Sequence, residues 1–356
     1  MVNLKRQYLE IKTEIDAAIQ QTLLDGDFIK GKKVQVFEEY LANYTGLPYV
    51  ISCGNGTDAL LLAIMALQLP KGSKIIVPAF TYIAPAEVVS FLGFELVFAD
   101  VDAHDFNITL ATIKEVYTPD VSAIIIVHLF GLPCTDVVAI HQFCSEKNIP
   151  LIEDNAQALG AEKEIKRDSI FTVSFFPTKN LGAYGDGGAV LCKNNKTAAL
   201  ISKMATHGQS QKYIHDIVGI NSRLDTLQAS ILLVKAKTLT ANNERRRKHA
   251  SLYQEHMQHI KQITLPQIRE QHIFHQYTLK IKDGRRNELA TYLAKKGIAT
   301  VVNYPLPVYK QNAYQQELHL KNTEELCRSV LSIPIFPELT AHEIMYICTS
   351  IKTFFE

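Results

Sequence analysis

The sequence lacks a surplus of charge of either sign. Its 356 residues include 37 lysines and arginines against 36 aspartates and glutamates, which gives a formal net charge of +1. A protein that holds a polyanion by releasing counterions needs a clear excess of positive charge. We therefore expect no nucleic acid among its partners.

Cysteine is sparse, and no recognisable metal-binding pattern is present. The six cysteines are scattered without a C-x-x-C pair, so their spacing predicts neither a disulfide framework nor a zinc site. His249, His256 and His259 match neither an i, i+4 metal pair nor an HExxH motif, and we interpret them as solvated helix positions. The sequence predicts no metal and a reducing compartment.

Long apolar runs are also missing. Residues 1–10 contain no apolar segment typical of a signal peptide, and no run approaches the roughly 18 apolar residues that span a bilayer. We expect a cytoplasmic protein with no membrane partner.

Short apolar runs rich in β-formers alternate with helical stretches in the first half of the chain. Runs that are apolar throughout are typical of parallel strands covered on both faces, so the alternation predicts a doubly wound α/β sheet. The runs are residues 49–53, 74–78, 95–98, 123–127, 150–154, 172–176 and 189–192.

The remaining periodicity predicts mainly helices. Apolar residues from Tyr8 to Leu23 predict one amphipathic helix that ends before Gly26, and a second helix follows at residues 34–44. Residues 221–258 read as a long helical region in which the charged run 244–248 is a solvated face. A strand at 277–281, a helix at 285–296 and a strand at 298–302 then complete a smaller α+β unit.

We therefore divide the chain into a large domain, residues 1–240, and a small C-terminal domain, residues 241–356.

A glycine-rich turn follows the first apolar run and precedes a helix. The segment from Gly54 to Ala59 would offer backbone N–H groups at a helix N-terminus to a phosphate. A dinucleotide fingerprint would need an acidic residue roughly 20 positions on, at the end of the next strand, where Pro78 and Phe80 stand. A turn required only for its backbone geometry remains an alternative.

Two residues with reactive side chains follow later strands. Asp154 ends the run PLIED and could hold a protonated ring nitrogen, although an N-capping aspartate is an alternative. Lys179 lies between an apolar strand and a glycine-rich turn, where an amine that loses its proton can attack an aldehyde. The order of phosphate turn, carboxylate and lysine matches pyridoxal enzymes of fold type I.

At this point the chain resembles the DegT-type sugar aminotransferases over nearly its whole length. The segments GNGTDALLLA, IEDNAQALGA, SFFPTKNLGAYGDGGAV and NSRLDTLQASIL carry the likeness. The resemblance implies pyridoxal 5'-phosphate (PLP) as cofactor, alternating with pyridoxamine phosphate (PMP). It makes Lys179 the lysine that condenses with the cofactor and Asp154 the partner of the ring nitrogen.

The resemblance also implies roles for other residues. Gln157 would lie near the ring hydroxyl and Tyr82 would stack on the ring. Asn221 would reach the phosphate of a neighbouring subunit, which implies a homodimer. The phosphate would be bound by Gly56, Thr57, the backbone of Asp58 and the side chain of Ser174. The expected substrate-binding residues are Phe28, Lys30, Arg223, Asn303 and Tyr304.

Within the family the likeness is greatest to enzymes that aminate C3 of UDP-2-acetamido-2-deoxy-ribo-hexuluronate. The implied reaction moves an amino group from L-glutamate to a nucleotide-linked keto-sugar, for cell-surface polysaccharide or lipopolysaccharide synthesis. Asn303 stands where these relatives often have a histidine before Tyr-Pro, so we expect the contacts to the sugar to differ. Arg223 is common throughout the family and does not report on a C6 carboxylate.

Several alternatives stay open. The acceptor could be a dTDP-linked 3- or 4-keto-6-deoxy-sugar, or the protein could bind PLP or a sugar nucleotide as a regulator without turnover. A nicotinamide-dependent oxidoreductase fails on the missing acidic residue. A related group that dehydrates keto-sugars has histidine in place of the lysine, and Lys179 argues against that chemistry.

Overall fold

The chain begins with three helices. The computed structural model describes residues 2–162 and 164–356. Helices α1 (Leu4–Glu10), α2 (Lys12–Asp25) and α3 (Lys32–Thr45) precede the first strand. The single helix predicted across residues 8–23 is wrong at its start, because the helix breaks at Ile11, whose backbone N–H bonds to the Tyr8 carbonyl. The second predicted helix lies within α3.

A seven-stranded sheet forms the centre of the molecule. Its strands are β1 (Tyr49–Cys53), β2 (Lys74–Pro78), β3 (Glu95–Ala99), β4 (Val121–Val127), β5 (Leu151–Asp154), β6 (Ile170–Ser174) and β7 (Gly188–Cys192). Their order in the sheet is β1-β7-β6-β5-β4-β2-β3; β7 is antiparallel to both neighbours and every other pair is parallel. Each predicted run coincides with or overlaps one strand, so the mostly parallel α/β sheet is confirmed.

Helices cover both faces of this sheet. Strand β4 shows why its sequence is apolar throughout: Ile125 packs in the core on one face, whereas Ile124 and Ile126 pack in the core on the other. Alternate residues of a strand point to opposite faces, so both faces need apolar side chains. The covering helices are α4 (Gly56–Ala66), α5 (Ala84–Phe91), α6 (Leu110–Val116), α7 (Val137–Lys147) and α8 (Asn195–Met204).

The region predicted to be helical from 221 to 258 contains two helices and an extended start. After a small hairpin, β8 (Gln209–Gln211) and β9 (Ile214–His215), come α9 (Thr226–Ala236) and α10 (Leu239–Met257). Residues 221–225 are extended because Asn221 and Asp225 pair their backbones with Thr206 and Ile29. None of the described helices combines the length and apolar character needed to cross a membrane.

The C-terminal part builds a second, three-stranded antiparallel sheet. The predicted strand 277–281 and helix 285–296 are confirmed, but the predicted strand 298–302 is wrong, since only Val301 pairs there, through a single bridge to Ser332. The elements are β10 (Ile263–Thr264), β11 (Tyr277–Ile281), α11 (Arg286–Lys295), α12 (Lys321–Ser329), β12 (Val330–Ile333) and α13 (Ala341–Phe355).

Helix α10 joins the cores of the two sheets. Leu239 packs in the core beneath the main sheet, whereas Tyr253 and Met257 pack in the core of the second sheet. The predicted domain boundary at residue 240 falls at the start of this helix, and the division into domains 1–240 and 241–356 stays a prediction.

The interpretation of the charged run as a solvated face is wrong for Arg246. This residue is 2% exposed, and its Nη1 donates to the carbonyl of Ile335 at 2.9 Å. His249 also differs from the solvated position expected of it, because its Nδ1 lies 3.1 Å from the Phe336 carbonyl. Helix α10 is covered by the C-terminal segment, so two of its polar side chains turn inward to satisfy main-chain carbonyls.

Candidate active site

A cavity of about 540 Å³ opens at the carboxyl edge of the main sheet. Val127, Asp154 and Ser174 reach it from the ends of β4, β5 and β6, the position at which doubly wound sheets bind ligands. The sequence-predicted residues that line it are Gly56, Thr57, Tyr82, Asp154, Gln157, Ser174, Lys179, Asn303 and Tyr304.

Lys179 presents its amine to this cavity from a tight turn. Its backbone N–H donates to the Phe176 carbonyl at 2.8 Å, and the turn closes at Gly182, where a Cβ would collide with the carbonyl of Pro177. Loss of water around the amine lowers the pKa of Lys179, and the negative charge of Asp154 opposes that shift. A lowered pKa increases the neutral, nucleophilic fraction of the amine.

Asp154 is the last residue of β5 and is 6% exposed. Burial raises the pKa of its carboxyl group, opposed by the Ala156 N–H, which donates to Oδ1 at 2.9 Å, and by the charge of Lys179. The residues that follow form a turn and not a helix, so the alternative of a helix N-cap is wrong. A carboxylate that is buried beside a cavity is costly unless a cationic partner stabilises it.

The glycine-rich turn and the end of β6 meet around a small concave surface. A Cβ on Gly56 would lie 2.6 Å from the Cβ of Ser174, so only glycine lets the N-terminus of α4 approach β6 this closely. Thr57 lies in the first turn of α4, and Thr57 and Ser174 both line the cavity. Backbone N–H groups and hydroxyls at a helix N-terminus are suited to a phosphate.

Asp58 has a different environment from the one expected. Its backbone N–H donates to Oδ1 of Asn55 at 2.8 Å as part of the helix N-cap, and its carboxylate accepts from Ser222 Oγ at 2.6 Å. Ser222 in turn accepts from the Gly54 N–H at 2.9 Å. Asp58 therefore anchors the turn, and the N–H assigned to the phosphate already has a partner.

Two tyrosines, Tyr82 and Tyr304, form another part of the cavity wall. The Tyr82 ring is 57% exposed and lies 6.4 Å from the ring of Tyr304. Gln157 accepts from the Phe130 N–H at 2.7 Å and donates to the Tyr304 hydroxyl at 3.3 Å. Loss of solvent around this hydroxyl raises the pKa of Tyr304, so it is a neutral donor at ordinary pH.

Four other predicted residues lie away from this cavity. Asn221 and Phe28 are exposed, with Phe28 at 47%. Lys30 and Arg223 line a separate cavity of about 200 Å³ that also contains Glu38. A single chain therefore does not bring the predicted substrate-binding cations to Lys179.

Sequence patterns missed other residues that line the cavity, among them Thr81, His275 and Gln276. The Thr81 hydroxyl and the Gln276 Oε1 atom are enclosed and have no hydrogen-bond partner among the described residues. Unsatisfied buried polar atoms are rare in native proteins, and in the wall of this cavity these two are available to a ligand. No spacing rule connects these residues with Lys179, since they come from different parts of the chain.

A buried ionic network lies behind Asp154. His128 Nε2 is 3.0 Å from Glu153, and Arg167 donates to Glu153 at 2.9 Å and to Glu162 at 2.6 Å. Ligand atoms of His128, Glu153 and Glu162 lie within 4.8 Å of one another, as in a metal site. The guanidinium of Arg167 already pairs with both carboxylates, so the cluster is an ion-pair network that supports β5.

Comparison with known proteins identifies the family. Residues 9–352 match the DegT/DnrJ/EryC1/StrS aminotransferase family. The chain belongs to this family. It is therefore a transaminase, as its sequence predicted.

Three relatives are especially informative. A UDP-N-acetyl-3-dehydro-alpha-D-glucosamine 3-aminotransferase of Acidithiobacillus ferrooxidans is 39% identical over 99% of this chain and 96% of its own. A UDP-2-acetamido-2-deoxy-3-oxo-D-glucuronate aminotransferase of Pseudomonas aeruginosa is 40% identical over 98% of both chains. The crystal structure of NtdA from Bacillus subtilis with bound PMP superposes with a TM-score of 0.91 at 30% identity, covering 97% of this chain and 82% of the other.

Proposed function

We propose that this transaminase uses PLP to move the amino group of L-glutamate to C3 of a UDP-linked 2-acetamido-2-deoxy-3-keto-sugar. The observation that carries the proposal is the cavity that contains the desolvated amine of Lys179 and the buried carboxylate of Asp154. Two full-length relatives named for the amination of UDP-linked 3-keto-sugars support the acceptor. The PMP-bound relative supports the cofactor.

The residues of the cavity fit PLP. Thr57, Ser174 and the N-terminus of α4 would bind its phosphate, with Gly56 leaving room for the approach. Asp154 would pair with the ring nitrogen, and Tyr82 would lie over the ring. Gln157 retains one amide hydrogen for the ring oxygen, because the structure uses only one of the two.

Bound PLP would supply an electron sink for the carbon that carries the amino group. The Asp154 carboxylate would keep the ring nitrogen protonated. The low polarity of the surroundings would strengthen the attraction between these two charges. The amine of Lys179 would take the proton that leaves the α-carbon of glutamate and would later return a proton at C3 of the sugar. The partly exposed Tyr82 and Tyr304 would exclude water from one side.

Both substrates must use this one cavity in turn. Glutamate and the keto-sugar would react in turn beside Lys179, so the kinetics should be ping-pong. The neutral Tyr304 hydroxyl and the Asn303 amide lie on the wall where a sugar would contact the protein. Asn303 cannot carry a charge. It would therefore bind sugar hydroxyls and would not form an ion pair with a carboxylate at C6.

We also propose a homodimer in which each chain completes the site of the other. Asn221 is exposed at the start of an extended segment, and the residues that precede it in the chain include two strongly exposed apolar side chains, Val218 at 88% and Tyr213 at 82% exposure. Exposed apolar side chains of this size favour association. Sedimentation velocity should give twice the mass of one chain; a monomer that retains full activity would contradict the proposal.

An assay with four acceptors separates the open substrate alternatives. Protein loaded with PLP is first converted by glutamate and then mixed with UDP- or dTDP-linked 3-keto- or 4-keto-sugars. We expect the PLP absorbance to recover with the UDP-linked 3-keto-sugar, because relatives named for dTDP-sugars are less similar to this chain. Recovery only with a dTDP-sugar would establish the alternative acceptor, and a failure of glutamate to convert the loaded protein would support a regulator without turnover.

The cytoplasmic location stays a prediction. All six cysteines are free in the structure, as expected of a reducing compartment.

A further inference from the structure

A chain of hydrogen bonds leads from the main chain behind the cavity to a histidine in its wall. Asn243 donates from Nδ2 to the Leu159 carbonyl at 3.3 Å and accepts from Asn180 Nδ2 at 2.7 Å. The Oδ1 atom of Asn180 lies 2.9 Å from Nδ1 of His275. Asn180 follows Lys179 directly, so these hydrogen bonds hold the backbone beside the reactive lysine.

The main-chain carbonyl determines the direction of every bond in this chain. The Leu159 oxygen can only accept, so the NH₂ group of Asn243 faces it and the oxygen of Asn243 faces Asn180. Asn180 must then donate to Asn243 and turn its own oxygen to His275. Nδ1 of His275 therefore carries the hydrogen, and Nε2 carries a lone pair.

His275 is held rigidly and without charge. It is 4% exposed, and burial lowers its pKa well below the ordinary histidine value, assisted by the nearby positive charges of Lys179 and Arg246. A Cβ on Gly131 would lie 2.7 Å from the backbone nitrogen of His275, so the loop after β4 packs directly on this segment. The imidazole is thus a neutral group in a single tautomer.

The Nε2 atom has no hydrogen-bond partner among residues 2–162 and 164–356, and His275 lines the same cavity as Lys179. The carboxylate of Asp154 is the charged group that raises the pKa of Lys179, but in the proposed function it pairs with the cofactor ring. The lysine amine, once it has taken a proton, therefore needs another acceptor.

We propose that His275 is the positioning residue for Lys179, with its Nε2 lone pair accepting a hydrogen from the lysine amine and directing that amine at the reacting carbon. The inference rests on the proposed function and deepens it. A neutral acceptor stabilises the ammonium that forms when Lys179 takes a proton, yet it does not hold the proton as a carboxylate would. No bond is made or broken at the imidazole.

The first test reads the tautomer directly and needs no turnover. Protein labelled with ¹⁵N-histidine is examined by long-range ¹H–¹⁵N NMR, with the His275 signals assigned from their loss in His275→Leu. We expect the neutral form with hydrogen on Nδ1, and a mixture of tautomers in Asn243→Leu, where Asn180 is free to turn. Hydrogen on Nε2, or on both nitrogens near neutral pH, would overturn the inference.

The second test isolates proton transfer. In a single turnover with glutamate, followed by the absorbance of bound PLP, His275→Leu should be slower by about tenfold or more, the effect of one hydrogen bond to a charged group. Glutamate deuterated at the α-carbon should show a larger isotope effect in this variant, while the apparent affinity for glutamate stays unchanged. A wild-type rate would overturn the inference.

His272 provides a matched control. It is 3% exposed and its Nδ1 also bonds to an acceptor, the Gln267 carbonyl, but it does not line the cavity. His272→Leu should retain the wild-type rate and isotope effect; an equal slowing in both variants would show a general packing effect and overturn the inference. If no keto-sugar restores the PLP absorbance, the proposed acceptor fails, but the glutamate reaction and the NMR spectra still decide the role of His275.

Discussion

Lys179→Ala should lower kcat by about 10⁴-fold, the upper end of the range for loss of a positioned proton-transfer group. The variant lacks the amine that both attaches the cofactor and carries the proton, whereas the phosphate contacts of the cavity remain. The single-turnover rate with glutamate measures the loss. Added ethylamine should restore part of the rate, because it can enter the space that the side chain leaves. Full activity without an added amine would exclude Lys179 from the reaction.

Lys235 controls for the effect of burial alone. It is 6% exposed, burial lowers its pKa to about 8, and it donates to the Gly182 carbonyl, but it does not line the cavity. Borohydride reduction of the PLP-loaded protein should therefore add the cofactor mass to the peptide that contains Lys179 and leave the Lys235 peptide unchanged. Labelling of Lys235 would contradict the assignment of the reactive amine.

Asp154→Asn should lower kcat by about 10³-fold, as expected when a preorganised electrostatic partner of the reacting group is removed. An amide cannot balance a positive ring nitrogen, so electron withdrawal from the reacting carbon weakens. The amide has nearly the volume of the carboxyl group, so cofactor retention should change much less than the rate. Stopped-flow measurement of the glutamate reaction, with cofactor content determined in parallel, tests this prediction.

Glu153→Gln is the matched control, because Glu153 precedes Asp154 on β5 but faces His128 and Arg167. We expect a near wild-type rate and a free energy of unfolding lower by about 2 kcal/mol. Burial alone would raise the pKa of Glu153, but hydrogen bonds from His128 and Arg167 outweigh burial and lower it to about 2. Equal losses of rate in the two variants would contradict the separate roles.

The same shift predicts how stability depends on pH. A carboxyl group with a lowered folded-state pKa stabilises the fold above its ordinary pKa of about 4.3, and this contribution disappears as the pH falls toward 2. Urea unfolding between these pH values should therefore show a steeper loss of stability in the wild type than in Glu153→Gln.

The sequence alone determined the main sheet and the order of its reactive residues. A strand covered on both faces must be apolar at every position, and this requirement is visible in runs such as 123–127. Asp154 ends one such run and Lys179 follows another, and the ends of parallel strands meet at one edge of the sheet. Their order after the glycine-rich turn, together with the family resemblance, distinguished them from the other acidic residues and lysines.

Only the tertiary structure decided which other side chains share the cavity and which charges lie inside. His275 and Lys179 are brought together by contacts between distant segments, and the Asn180–Asn243 bond spans 63 positions. Arg246 looked solvated because helical periodicity does not show that main-chain carbonyls from Phe274 and Ile335 converge on one helix position. Periodicity reports which face of an element is apolar, whereas the partner of a buried polar group is determined by packing between elements.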